Sequence, residues 1–355
     1  MKSGLKGGSK NGTMLAAVLY GKEQVQLERI PVPAIGPGDI LVRVRAALTC
    51  GTDVKVFRRG YHARMIVPPA VFGHEFAGDV VAVGHSVTRF QPGQRVVAAN
   101  SAPCLQCFYC LRGKVNLCED LLFNNGAYAE YISIPARIVA RNAYEVAPHL
   151  SYQDAALAEP LACVVKGLED TGLEAGDTVV VIGSGPIGSM FVRLAKLRGA
   201  QVIAIGRRRK NLDHVLKLGA DRAIATEDTL SPVCAVKELT GGRGADIVIE
   251  TAGKPETWNW SVEMLRRGGI VNFFGGPPSG TRVELDTNLL HYSEITCKAS
   301  FHHTPRAFRE ALDIIESGGV TAAAFVKAEE PLESLTKVLF QLMEGRGTLK
   351  TAIIP

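Results

Sequence analysis

Two textures of hydrophobic patterning divide the chain. From residue 14 to about 155, apolar residues come in short runs broken by Pro31, Pro33, Gly36-Pro37-Gly38, Pro68-Pro69 and Pro92-Gly93, the punctuation of turns between strands. Within that stretch Ile40, Val42, Val44 and Ala46 alternate with Leu41, Arg43, Arg45 and Ala47, a period of two that predicts a strand. The stretch as a whole reads as an irregular β domain. Near residue 160 the texture changes. Thr178–Ile182 (TVVVI) lies between Gly176-Asp177 and Gly183 and has the continuous apolar character of a strand covered on both faces of a parallel sheet. Helical spacing then runs to Leu197, a strand is predicted over 201–205 and a helix ending at Leu218-Gly219. Segments 246–250 and 270–274 continue the alternation. Strands alternating with helices build βαβ units and a doubly wound sheet. Beyond 300, Thr304-Pro305 reads as an N-cap followed by proline at the first helical position. That helix runs toward Ser317-Gly318-Gly319; a last helix is predicted around 331–345 and a last strand over 349–353.

Length and composition narrow the class. A chain of 355 residues is expected to hold about two domains. Hydrophobic residues at 46% and charged ones at 21% match a globular protein with a full core. No stretch reaches the roughly 18 apolar residues of a membrane helix. Lys and Arg total 40 against 35 for Asp and Glu, too mild and dispersed an excess for a nucleic-acid surface. Residues 1–13 are rich in Gly, Ser and Lys and are expected to be a flexible extension or tag. The N-terminus carries no secretory pattern, so the expected compartment is the reducing cytoplasm, where cysteines serve as thiols or metal ligands.

Gly183-Ser184-Gly185-Pro186-Ile187-Gly188 fits G-x-G-x-x-G and follows a buried strand into a helix, the setting in which the motif binds a dinucleotide. The glycines permit the tight turn, the approach of the pyrophosphate and close helix–strand packing, and the helix N-terminus favours phosphate. An NAD-preferring site usually places Asp or Glu about 20 residues on. Here the chain reads Gly206-Arg207-Arg208-Arg209-Lys210, and guanidinium forks suit a 2′-phosphate. NADP(H) is therefore expected over NAD(H), with Arg207 and Arg208 as contacts. Cys104, Cys107, Cys110 and Cys118 fall within 15 residues and supply the four thiolates of a closed tetrahedral structural zinc. An iron–sulfur cluster also uses four cysteines, but the nucleotide fold weighs against it. Cys50, His74 and either Glu75 or Glu159 would make a catalytic zinc set with one position left open. Glu159 sits in the apolar run AALAEPLACVV, where an unpaired carboxylate costs several kcal/mol.

With these pieces in view, the chain resembles the zinc-dependent medium-chain dehydrogenases, the alcohol and polyol dehydrogenase superfamily. The matching segments are CGTD (50–53), GHEFAGDVVAVG (73–84), the four-cysteine loop, EPLA (159–162), GSGPIG (183–188) and FFGGPP (273–278). They span nearly all of 14–355 in the family order, with the sorbitol/iditol 2-dehydrogenase-like branch nearest. The resemblance implies an α/β protein: a GroES-like β-barrel catalytic domain over 14–160 and 301–355 around a Rossmann domain over 161–300. It implies a catalytic zinc on Cys50 and His74, with Glu75 and Glu159 competing for the remaining protein position, and a second, structural zinc. Thr52 matches the hydroxyl that passes the substrate proton, Cys163 the nicotinamide contact, and Lys350 a basic residue facing the pyrophosphate. The implied reaction interconverts a small secondary alcohol, polyol-like, and its ketone; NAD-linked oxidation of a polyol or polyol phosphate and a catalytically silent NADPH-binding zinc protein are the alternatives. A homodimer or homotetramer is implied, with neither nucleic-acid nor membrane partners. Lys55 stands where many relatives carry a relay His.

Overall fold

Five consecutive buried residues, Thr178–Ile182, set the architecture of the second half of the chain, because a strand apolar on both faces needs cover on both. In the computed structural model, which describes residues 12–62, 64–347 and 349–355, this strand is third in a six-stranded sheet. The order is Arg222–Ala225, Gln201–Gly206, Thr178–Ile182, Ala245–Glu250, Leu265–Phe273 and Thr296–Ala299, and every neighbouring pair is parallel. Helices Pro186–Leu197, Arg209–Lys217, Pro232–Leu239, Pro255–Glu263 and Thr287–Tyr292 lie in the five connections. Three of them open on proline, whose missing N–H lies where a helix has no acceptor for it. Val180, Ile203, Ile205, Val248, Val271 and Phe273 share one core, each such side chain contributing roughly 1.5–3 kcal/mol when fully buried. Trp258 stacks on Phe273 at 4.0 Å between ring centroids.

Residues 160–307 form this unit, and the described residues through Glu159 form another together with Phe308–Pro355. In the latter, Ile40–Leu48 is the organising strand. One edge pairs antiparallel with Glu75–Val83; Tyr131–Ile134 and the C-terminal Lys350–Ile354 share the other. Arg95–Ala98, Ala143–Glu145 and Val326–Pro331 complete seven strands. Ile40, Val42, Val44 and Ala46 are buried and Arg43 and Arg45 exposed, as the alternation predicts. Leu41 is buried as well, in a second small core with Met14, Ala16, Ala129 and Tyr131. A three-stranded sheet, Gln24–Pro31, Thr13–Gly21 and Ala70–Val71, accompanies the larger one.

The structure departs from the periodicity at two places. Gly51–Arg59 forms a helix inside the strand-rich half. The last helix is Leu335–Met343 rather than 331–345, because Val326–Pro331 extends as a strand on Lys350–Ile354 and 332–334 make a tight turn. Thr304 does cap helix Pro305–Glu316, its Oγ1 accepting from Ala307 N at 3.1 Å. Residues 1–11 of the expected extension lie outside the described residues; Thr13 already pairs with Pro31. Among the described residues no helix is long and apolar enough to cross a membrane.

Helix Pro186–Leu197 packs tightly on the sheet at Gly188, where an added Cβ would lie 1.8 Å from the Gly183 carbonyl oxygen. Gly188→Ala therefore forces the turn apart. Overpacking of this kind costs about 1–3 kcal/mol, expected as a lower urea midpoint with unchanged slope; an unchanged midpoint would refute the tight packing.

Candidate active site and metal centres

The segment Cys50-Gly51-Thr52-Asp53 folds as a capping box in which cysteine takes the usual place of serine or threonine. Cys50 is extended (φ −121°, ψ 151°) and its Sγ accepts from Thr52 N at 3.4 Å. Asp53 Oδ2 returns the contact, accepting from Cys50 N at 3.0 Å. The cap fixes the cysteine at the mouth of helix Gly51–Arg59. His74 and Glu75 arrive at the start of strand Glu75–Val83, just after Gly73, whose φ of +90° only glycine adopts readily. The ligating atoms of Cys50, His74 and Glu75 all lie within 4.8 Å of one another.

Glu75 is fully buried and forms an ion pair with Lys350, which is 2% exposed. Lys350 Nζ donates to Oε1 at 2.7 Å, to Oε2 at 2.5 Å and to the Thr49 carbonyl at 3.1 Å. The pairing of Lys350–Ile354 with Ile40–Leu48 makes this possible, with Thr49 and Thr351 exchanging two further hydrogen bonds of 3.0 Å. Burial pushes the lysine down, but the Glu75 carboxylate outweighs it and holds the ammonium charged. The residue expected to face a pyrophosphate thus directs donors to both oxygens of Glu75 and to a backbone carbonyl. Burial pushes Glu159, in the first turn of helix Ala158–Glu169, up to about 7, with His74 and then Glu75 as the strongest neighbouring charges. Burial lowers His74, but the charge of Asp53 and the Cys50 sulfur lift it well above its usual range.

This balance tests the site for a metal. Glu75, Glu159 and the Cys50 sulfur surround buried Lys350, while Asp53 and the same sulfur face buried His74. Buried carboxylates are costly without enough positive charge beside them, and an imidazole that ligates a metal is neutral, so the metal's charge takes the place of the imidazolium. A soft sulfur, an imidazole and a carboxylate within 4.8 Å are the donor types that zinc takes in sites with one position open. The donors fit.

The second centre is local. The sulfurs of Cys104, Cys107, Cys110 and Cys118 lie within 4.8 Å of one another, with Cys104–Cys110 at 4.0 Å and Cys107–Cys118 at 3.9 Å. Thiolates at zinc–sulfur distances of about 2.3 Å and tetrahedral angles stand about 3.8 Å apart, so this lobe is built to the right size. Backbone N–H groups of Cys104 and Gln106 point at the Cys118 and Cys104 sulfurs. Backbone donors lower Cys107 to about 6, while burial raises Cys110 to about 12.

The glycine loop forms a third place. Gly183 takes φ +110° and its N–H donates to Ile205 O at 2.8 Å. Gly185 caps helix Pro186–Leu197, and a Cβ there would meet nothing within 4 Å, which leaves room over the helix N-terminus where the N–H groups at Pro186-Ile187-Gly188 and beyond favour phosphate. At Gly206 an added Cβ would fall 2.3 Å from Ser184 Oγ. Arg207 and Arg208 are exposed, and Arg209 is occupied by Asp228 at 2.6 Å. Cys163, half-buried, lies four residues after Glu159 in the same helix. Thr52 is half-buried with its hydroxyl unengaged among the described residues, and Lys55 is exposed. Two residues outside the set expected from the sequence, Asp53 and Tyr128, adjoin His74 and Cys50. Asp53 Oδ1 is 3.2 Å from His74 Nδ1 and Tyr128 donates to Oδ2 at 2.6 Å. Asp53 was readable as the fourth residue of a cap; nothing in the local pattern signals Tyr128.

Residues 36–144 match the family described as "Alcohol dehydrogenase GroES-like domain" and 186–317 the one described as "Zinc-binding dehydrogenase". An L-threonine 3-dehydrogenase from Bacillus licheniformis is 34% identical over 97% of this chain and 100% of its own length. The chain belongs to the zinc-dependent medium-chain alcohol and polyol dehydrogenases. A sorbitol dehydrogenase of this superfamily from Bacillus subtilis is 30% identical over 96% of this chain and 97% of its own. A solved zinc-binding dehydrogenase from Sinorhizobium meliloti 1021, bound to NADP, superposes with a TM-score of 0.87 at 30% identity, covering 97% of this chain and 99% of that one. The medium-chain dehydrogenase is thus an enzyme of zinc and a nicotinamide cofactor acting on small molecules, with a GroES-like and a Rossmann-type fold.

The Lys350–Glu75 pair gives a direct test in the metal-free protein. Lys350→Met leaves a buried carboxylate without its cation, a loss of about 3–5 kcal/mol in unfolding free energy. Glu75→Met combined with Lys350→Met should recover most of it; a neutral single variant would show that the pair bears no such charge.

Proposed function

We propose that this chain interconverts a secondary alcohol, polyol-like, and its ketone by hydride exchange with NADP(H), using one catalytic and one structural zinc. The gathering of Cys50, His74 and Glu75 within 4.8 Å beside the open hydroxyl of Thr52 carries the reading. When bound, zinc supplies a Lewis acid for the substrate oxygen and the nicotinamide supplies the hydride acceptor or donor. The chain's own groups do the rest. Cys50 and His74 hold the metal with a carboxylate, for which we favour Glu75, whose oxygen lies within the set. Glu159 stands close by as the second carboxylate. The Thr52 hydroxyl relays the substrate proton outward, and exposed Lys55 leaves the outer part of that path to solvent. Gly183, Gly185 and Gly188 shape the turn for the pyrophosphate, with Pro186 and Ile187 opening the helix behind it. Cys163 borders the nicotinamide. Arg207 and Arg208, exposed beyond Gly206 and without an ion pair among the described residues, grip the 2′-phosphate, a reading supported by the NADP of the Sinorhizobium meliloti neighbour.

A second substrate reading, the secondary alcohol of a β-hydroxy amino acid, is favoured by the L-threonine 3-dehydrogenase relatives. The sorbitol dehydrogenase and a D-xylulose reductase relative support the polyol. A panel of polyols against L-threonine, each read as NADPH formed, separates them.

Fluorescence titration should show NADPH binding at least about tenfold tighter than NADH, a difference of about 1.4 kcal/mol. Arg207→Ala with Arg208→Ala should erase the difference. Equal affinities in the wild type would make the run surface charge and favour NAD. Metal analysis is expected to find about two zinc ions per chain. Cys104→Ser should remove one and lower the melting temperature while sparing most turnover; loss of turnover in a folded protein would overturn the division of roles.

A further inference from the structure

Asp53 is shared between the metal set and one buried ring. Its Oδ1 faces His74 Nδ1 at 3.2 Å and has no other partner among the described residues. Its Oδ2 accepts from Cys50 N at 3.0 Å and from the Tyr128 hydroxyl at 2.6 Å. The phenol has one proton and a second acceptor within reach, the Leu48 carbonyl at 3.3 Å; the carboxylate is nearer and charged, and a charge-assisted bond wins. Tyr128 is itself immobile. It is fully buried, edge-on to Phe72 at 5.0 Å, and its N–H donates to Phe72 O at 3.0 Å. Its ring lies against Gly73, where an added Cβ would come within 2.7 Å of it. The ring therefore braces the backbone that delivers His74, and its hydroxyl grips the carboxylate that faces His74.

We infer that Tyr128 is a positioning residue for the metal centre: by holding Asp53 Oδ2 it aims Oδ1 at His74 Nδ1, keeps the imidazole proton there and leaves Nε2 to ligate. A phenylalanine at 128 fills the same space but leaves Oδ2 with the Cys50 N–H alone, so the carboxylate can turn about its own bonds. Partners that orient a ligating histidine typically carry 10–100-fold of metal affinity. The inference rests on the reading that Cys50 and His74 hold zinc.

The test is Tyr128→Phe on the full chain, with zinc and cobalt affinities read by competition against a chromophoric chelator. The four-cysteine lobe serves as the internal reference. The Cys50/His74 site is expected to lose about tenfold in affinity and to change its cobalt absorption, the lobe staying unchanged. Asp53→Asn should lose at least as much, and the double variant no more than Asp53→Asn alone, because Tyr128 acts through Asp53. An affinity within twofold of wild type with an unchanged cobalt band would overturn the inference, even if the variant melts lower. Should Tyr128→Phe fail to fold, histidine 15N spectra of the cadmium-loaded wild type decide: ligation through Nε2 with Nδ1 protonated is expected, and ligation through Nδ1 overturns it. A wild-type chain that binds metal only at the lobe would defeat the metal reading beneath.

Discussion

The ion pair between Glu75 and Lys350 ties together parts of the chain that are far apart in sequence. Neither charge reaches water, so each is tolerable only because the other is there. To meet, they require Lys350–Ile354 to lie on Ile40–Leu48 and Glu75–Val83 to lie on the other edge of that strand. The same arrangement sets Cys50 at the end of Ile40–Leu48 and His74 at the start of Glu75–Val83. The site is thus a by-product of three strands being in register. Inside the cluster both oxygens of Glu75 accept from one ammonium, and burial pushes both Glu75 and Glu159 up, Glu159 to about 7.

The two cysteine-containing centres are built on opposite plans. The lobe draws its four sulfurs from residues 104–118, so closing it orders only a short loop. The Cys50 set draws on residues at 50, 53, 74, 75, 128 and 350, and it exists only once the sheet is complete. Non-local pairings of this kind pay loop-closure entropy before any contact compensates it. A metal at the lobe supports its own surroundings; a metal at the other site reports on the whole unit.

The same contrast explains what was legible in the sequence. Periodicity announced Ile40–Leu48 and Thr178–Ile182, because burial on one or two faces leaves a direct trace in residue type. Gly183-Ser184-Gly185-Pro186-Ile187-Gly188 was legible for steric reasons that act within a few residues. Spacing exposed the sulfur lobe for the same reason. The partner of Lys350 and the role of Tyr128 were not legible, since both depend on contacts across 275 and 75 residues that no local period records. The last helix is shorter than its spacing predicts because Pro331 ends a strand that only pairing with Lys350–Ile354 defines, and 332–334 turn tightly before Leu335–Met343.

The close approach of Gly206 to Ser184 has a consequence for how such a protein can change over time. A side chain at 206 would collide with Ser184 Oγ, so that position is closed to a carboxylate as long as the glycine turn keeps its shape. On the proposed reading, in which Arg207 and Arg208 meet the 2′-phosphate, drift in cofactor choice is steered toward 207 and 208, where the side chains stand in solvent.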